Sequence, residues 1–292
     1  RTVGDLPRLA SGSMISVMAV PASVRKAWGI TGEIEHLEGG QGTSFRAGDL
    51  VLKPQPDEDV VIWHAQLCDH VVPTAFRLPA PVRAADGRLV VDGWYATEFV
   101  QGSPIPQGNG STYSWLEVIA CARAFHAAVS NQPPPRSLTT RTDPWAVADR
   151  AAWGEGDPDV IGARAQTILQ GLRKLLVTES LPHQVIHGDL AGNVLHYQGL
   201  PPAVIDLSPY SRPSEYADAI VVIVALLWWD ADLTLMSAAR LKPLNPEMWT
   251  SLLARALIFR LLAFDVTRPT SDDLNDQLPR YTRVLSHLTM AH

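Results

Sequence analysis

The residue types best able to do chemistry fall in one stretch, His187-Gly188-Asp189-Leu190-Ala191-Gly192-Asn193, and a shorter one downstream, Ile205-Asp206-Leu207. Gln184-Val185-Ile186 leads into the first as an apolar run, and an alternating segment, Val194 to Gln198, follows it. A Pro-rich turn at Leu200 to Pro202 then gives way to apolar Ala203 to Leu207. The pattern predicts a loop feeding a small hairpin, with polar groups held at the hairpin's mouth. Asp189, Asn193 and Asp206 would converge there. Hard oxygen donors of this kind suit Mg²⁺, which takes a few carboxylate or amide oxygens together with substrate phosphates. The chemistry to expect is phosphoryl transfer. Asp189 would accept the proton of an attacking hydroxyl, while Asn193 and Asp206 would hold the metal.

Protein kinases place four residues between the proton-accepting Asp and the metal-binding Asn. Here only Leu190, Ala191 and Gly192 intervene. With His187-Gly188-Asp189 standing where protein kinases have His-Arg-Asp, the stretch resembles the aminoglycoside phosphotransferase branch of the protein-kinase-like fold. Asp218 follows Asp206 by twelve residues, the spacing of a further Asp in that branch. The segments His187 to Val194 and Val204 to Pro213 look like those of an actinobacterial subgroup. The resemblance implies an α+β, two-lobed architecture with a nucleotide, ATP or GTP, in the cleft. Its sheet-rich N-terminal lobe would cover about 14–100 and its helical C-terminal lobe 101–292. By resemblance, Asp218 would brace the catalytic loop by accepting its backbone N–H groups, and His187 would orient that loop by hydrogen bonding.

Three strands are expected before the first long helix. Ile34 to Leu37 leads into Gly39, Gly40 and Gly42; Ala47-Gly48-Asp49 forms a tight turn; Leu50 to Lys53 is the third strand. Glycines let backbone N–H groups approach phosphate oxygens, and a Lys supplies a point charge for them. A plain hairpin would also explain the glycines, but Lys53 and the Asp189 stretch downstream favour the phosphate reading. Lys53 is expected to be fixed by an acid from the following helix, which begins near Asp57. Glu58 is the first choice and Asp59 the second, although either also suits a helix start. Trp94 to Phe99 reads as a strand running into Val100-Gln101-Gly102. In the family this segment links the lobes and recognises adenine through its backbone, so Glu98 and Val100 are the candidate contacts.

From Ser114 the chain turns helical. Trp115, Val118, Ile119, Ala122, Phe125 and His126 recur at helical spacing, and His126 reads as a packed, hydrogen-bonded histidine. Helices are also expected over Asp143 to Trp153, over Pro158 to Thr178 with Asp157 as cap, after Pro213, and twice more before the end. The acidic loop Gly154 to Asp157, and Asp230, Asp232 and Asp265, could face an acceptor pocket, but solvated surface charge for the loop and a cap or surface charge for the three Asp residues are the favoured readings.

Composition bounds the rest. The chain has 292 residues, a net charge of -6 and 46% hydrophobic residues, enough for a sizeable core in one domain or two lobes. No Lys/Arg stripe suggests nucleic acid. The longest apolar run, Ala219 to Trp229, is short of the roughly 20 residues a membrane span needs. Two cysteines, Cys68 and Cys121, sit in apolar helical patterns and read as buried thiols, which fits a cytoplasmic protein. Arg1 to Ser13 reads as an added tag ahead of Met14 or Met18. The expected function is transfer of a nucleotide γ-phosphoryl group to a hydroxyl of a small molecule, an aminoglycoside or other antibiotic. A metabolic kinase acting on a sugar or amino alcohol is the first alternative; a nucleotide-binding regulator without turnover is the second.

Overall fold

Short alternating segments rich in β-branched and aromatic residues build the first part of the chain, and long apolar helices build the second. The computed structural model of the chain describes residues 19–37, 42–55, 57–105, 110–156, 163–179, 181–267 and 271–290. After helix α1 (Ala22–Ala27) come strands β1 (Glu35–His36), β2 (Phe45–Ala47) and β3 (Leu50–Pro54), then helix α2 (Glu58–His70). Strands β4 (Pro81–Val82), β5 (Val90–Val91) and β6 (Trp94–Glu98) complete an antiparallel sheet in the order β1-β2-β3-β6-β4, with β5 also paired to β6. In β3 the alternation turns Leu52 fully inward against Val24, Phe45, Trp94 and Ala96, which form a small core of their own.

The linker after β6 does not run free. Strand β7 (Ser103–Pro104) pairs with β9 (Val194–Tyr197), which pairs in turn with β10 (Leu200–Val204). Arg77 fastens the same region. Its backbone brackets the hairpin through Arg77 N–H to Pro202 O at 2.7 Å and Val204 N–H to Arg77 O at 2.9 Å. Its guanidinium donates to Pro201 O at 2.7 Å and to Gln101 O at 3.0 Å. The sheet lobe, the linker and the β9–β10 hairpin are therefore one connected frame.

The helical lobe holds α3 (Thr112–Val129), α4 (Pro144–Ala152), α5 (Ala163–Arg173), α6 (Ser214–Trp228), α7 (Leu235–Ala239), α8 (Pro246–Thr267) and α9 (Ser271–Met290). Ser111 and Asp143 cap α3 and α4 by accepting N–H groups of the first turn, as short oxygen-bearing side chains do. The apolar run expected as a buried helix lies in α6, where every residue from Tyr216 to Leu227 is buried. It packs between α3 and α8. Strand β8 (Gln184–His187) pairs antiparallel with β11 (Pro209–Arg212), so the segment after Asp206 is held as a strand. No helix among the described residues is long and apolar enough to cross a membrane. The expected tag at 1–13, the glycines Gly39 and Gly40, and the Asp157 cap lie outside the described residues.

Candidate active site

Strand β8 delivers the His187-Gly188-Asp189 turn, and β11 clamps it, with Gly188 N–H donating to Ser208 O at 2.8 Å. Only glycine fits at 188. A Cβ there would lie 2.5 Å from the Tyr210 ring, which is buried and flanked by Phe259. Gly188→Ala is therefore expected to destabilise the fold by about 1–3 kcal/mol, the usual cost of overpacking. Urea unfolding would show it as a lower midpoint at unchanged slope, and a wild-type midpoint would refute the close approach.

Two histidines set the loop's shape. His187 Nδ1 accepts Asp189 N–H at 3.1 Å, and its Nε2 donates to Ile205 O at 3.0 Å, tying this turn to the segment that carries Asp206. His126, on α3, accepts His187 N–H through Nε2 at 3.1 Å. One ring nitrogen of each must be an acceptor, so both are neutral. Burial favours that state, holding His187 below its usual pKa and pulling His126 down to about 3.

His64 on α2 behaves alike. Burial pulls its pKa to about 4, opposed by a hydrogen bond to Pro79 and assisted by Lys53 and His187. Unfolding exposes all three histidines, so the unfolded chain binds more protons below pH 6.5, and stability should fall as pH drops through that range. Asp218, which burial raises to about 7, and Asp149, which burial also raises, work against this slope, while His183, lowered by burial, adds to it, so the histidines prevail. The melting temperature is expected to fall from pH 7.5 to pH 5; a flat or rising profile would contradict the neutral assignment.

Asp189 projects from this turn with its side chain 49% exposed. Asn193, after the Asp189-to-Gly192 bend, donates through Nδ2 to Asp189 O at 2.7 Å, which leaves its amide oxygen for another partner. The bend needs Gly192, whose φ of +86° is left-handed. Asn193 O then accepts Ile205 N–H at 3.0 Å at the mouth of the β9–β10 hairpin, so Asp206 emerges beside Asn193. Asp206 is itself left-handed, at φ +54°. A non-glycine residue held there stores strain, a common feature of functional sites. The amide and carboxylate oxygens of Asn193 and Asp206 suit Mg²⁺ completed by phosphate oxygens. The described residues contain no group of three or more His, Cys, Asp or Glu side chains that could hold an ion unaided.

Lys53, 14% exposed on β3, forms an ion pair with Asp206 Oδ1. Burial draws its pKa to about 8, while the carboxylate beside it favours the ammonium form. The expected pairing with Glu58 is not what the structure shows. Glu58 falls on the outer face of α2 with Ile62, Ala65, Gln66 and Asp69, lining a surface groove of about 320 Å³ that Arg83 and Arg88 border. The inner face carries Val60, Val61, His64 and Leu67. Helical register therefore turns a histidine, not an acid, toward Lys53. Asp57, which accepts Asp59 N–H at 3.1 Å, is the helix cap.

Asp218 also differs from expectation. It is 2% exposed, and its Oδ2 accepts from Arg123 Nε at 2.7 Å, while its Oδ1 has no partner. Of the loop's N–H groups, Gly188's goes instead to Ser208 O, Asp189's to His187 Nδ1 and Asn193's to Leu190 O. Asp218 thus joins α6 to α3, behind the loop.

Gly42, left-handed at φ +67°, has its carbonyl accepting from His36 Nε2 at 2.8 Å at the turn between β1 and β2. Glu98 closes β6, with its N–H donating to Ala80 O at 3.0 Å and its carboxylate accepting Ala80 N–H at 3.3 Å. Val100 follows just outside the strand, on the linker. Of the acids considered for an acceptor pocket, Glu155 is committed to Arg212 at 2.7 Å, and Asp232 accepts Thr234 N–H at 2.8 Å.

The residue that sequence reasoning missed is Arg260, on α8. Its Nη2 donates to Gly188 O at 3.1 Å and to Asp189 Oδ1 at 2.9 Å. The signal was there: it is a lone charge in the apolar run Ala256 to Phe264, and arginine is rarely buried without a partner.

A sheet lobe with a strand lysine, a helical lobe with an Asp–Asn loop, and a hairpin Asp between them define the two-lobed kinase-like class. The chain belongs to the phosphotransferase enzyme family, whose model matches residues 37–240. Among solved structures, an amicoumacin kinase in complex with AMP-PNP, Ca²⁺ and amicoumacin is similar, at TM-score 0.60 and 14% identity over 86% of this chain and 87% of that one. A microcompartment-associated aminopropanol kinase matches at TM-score 0.60 and 15% identity over 84% and 87%. A spectinomycin phosphotransferase in complex with ADP and spectinomycin matches at 0.58 and 13% over 92% and 96%. No curated protein sequence matches the chain.

Proposed function

We propose that the protein transfers the γ-phosphoryl group of ATP or GTP to a hydroxyl of a small molecule, with Asp189 as the general base. The observation that carries this reading is the placing of a half-exposed Asp189 carboxylate on the loop that also presents Asn193, next to the Lys53–Asp206 pair. Lys53 would contact nucleotide phosphates, with the backbone around Gly39, Gly40 and Gly42 covering them. Glu98 and Val100 would offer backbone groups to the base. Asn193 and Asp206 would hold Mg²⁺, which when bound neutralises charge on the transferring phosphate. Asp189 would orient the acceptor hydroxyl and take its proton. The rest of catalysis is positioning, since a loose transition state asks little covalent chemistry of the protein.

An antibiotic acceptor and a metabolic one both have support, because the similar structures include a spectinomycin phosphotransferase and an aminopropanol kinase. The fold constrains the donor more than the acceptor. A regulator without turnover has no use for an accessible base beside a metal-type pair. Nucleotide diphosphate release should therefore be screened over aminoglycosides, macrolides, amino alcohols and sugars, with the Asp189→Asn protein as blank. One acceptor that raises release above the blank and gains a phosphomonoester is the expected result. Release identical in wild type and blank for every acceptor would count against the proposal.

A further inference from the structure

We infer that Arg260 is the positioning residue of Asp189, holding one carboxylate oxygen so that the other is presented to the acceptor hydroxyl. The inference rests on the function proposed above. A single Nη2 atom spans Gly188 O and Asp189 Oδ1, so it fixes the aspartate side chain relative to the backbone of its own turn. The donor itself cannot wander. Arg260 is 5% exposed, on the long helix α8 packed against α4 and α6, with its guanidinium 4.8 Å from the Phe259 ring and 5.9 Å from the Trp145 ring.

The other oxygen is loosely held. Asp189 Oδ2 has Asn193 Nδ2 only at 3.5 Å, while that amide donates at 2.7 Å to the backbone carbonyl. An exposed aspartate would otherwise sample several rotamers, most of them wrong for catalysis. Packing alone does not account for this arginine either. Its Nε is buried without a partner, a desolvation cost that an apolar residue at 260 would avoid.

The test needs no identified acceptor. Mg-ATP hydrolysis, with water as the acceptor, and Mg-ATP binding are measured in wild type, Arg260→Met, Arg260→Lys, Asp189→Asn and the double variant Arg260→Met/Asp189→Asn. Loss of positioning by an ångström or so can cost about 10²-fold. Arg260→Met is therefore expected to lower kcat by about ten- to a hundredfold, with KM and Kd for Mg-ATP unchanged. Arg260→Lys should recover part of the loss, because it restores a donor without the guanidinium fork. In the Asp189→Asn background the Arg260→Met change should cost nothing further.

A wild-type kcat in Arg260→Met would overturn the assignment, as would the same fold-loss in both backgrounds, which is the mark of a purely structural role. If Arg260→Met fails to fold, Arg260→Lys carries the test, and an unchanged kcat there overturns it. Wild-type protein that binds and hydrolyses neither Mg-ATP nor Mg-GTP would bring down the proposed function and this inference together; if only GTP is used, the same variants are read with Mg-GTP. Wild-type turnover that is indifferent to residue 260 sinks only the inference.

Discussion

Replacing Asp189 with Asn should reduce phosphoryl transfer by about 10²–10⁴-fold, the range that a general base contributes, while leaving Mg²⁺-dependent nucleotide affinity nearly as it was. The substitution keeps the side chain's size and an oxygen for Arg260 Nη2, and it removes the negative charge and with it the capacity to take a proton. The backbone carbonyl of residue 189 still accepts from Asn193 Nδ2, so the loop that presents Asn193 keeps its shape. Binding and rate should therefore separate. Calorimetric titration with Mg-ATP, beside single-turnover rates with an acceptor found by screening, would show it. A variant rate near wild type would exclude Asp189 as the base, and a matching loss of binding would place it in the nucleotide site instead.

Asp206 should behave in the opposite way. Asp206→Asn is expected to abolish the Mg²⁺-dependent part of nucleotide binding, because a neutral amide is a far poorer partner for a divalent cation than a carboxylate. Asparagine is the variant of choice. It tolerates the left-handed φ of +54° at this position, whereas alanine would add backbone strain to the loss of charge. Either change leaves the buried Lys53 ammonium without its carboxylate, so the ligand-free protein should also melt lower. Each variant must be compared with its own ligand-free baseline. Mg²⁺-dependent affinity that survives in Asp206→Asn would remove Asp206 from the metal site.

What was legible in the sequence is what local spacing controls. Asn193 lies against Asp189 and beside the segment that carries Asp206 because a short bend and one hairpin bring those segments together, and the hairpin was visible in the alternation around the Leu200 to Pro202 turn. Lys53 could be placed on its strand because Leu50 to Leu52 is apolar and Gly48 marks the turn before it. The contacts that went wrong depend on which face of a helix points inward. Glu58 and His64 differ by less than two turns, yet only His64 joins the buried row, since Val60, Val61 and Leu67 define that row. The partner of Asp218 lies on α3, and no spacing rule connects Arg123 to a residue so distant in sequence. Arg260 is the same kind of case. Its contact with Asp189 exists only once α8 has packed behind the His187-Gly188-Asp189 turn, and its trace in the sequence is a single charge among apolar residues.

The most direct test of the account is a thermal-shift titration of the wild-type protein with ATP and GTP, each with and without Mg²⁺. A ligand at a hundred times its dissociation constant adds about 2.7 kcal/mol to stability, an easily read rise in melting temperature. At least one nucleotide should raise the melting temperature with Mg²⁺ and have little effect without it. If neither nucleotide shifts the transition, or if the shift is the same without metal, the cleft does not hold a metal-nucleotide complex on Asn193 and Asp206, and the phosphotransferase mechanism assigned to these residues is wrong.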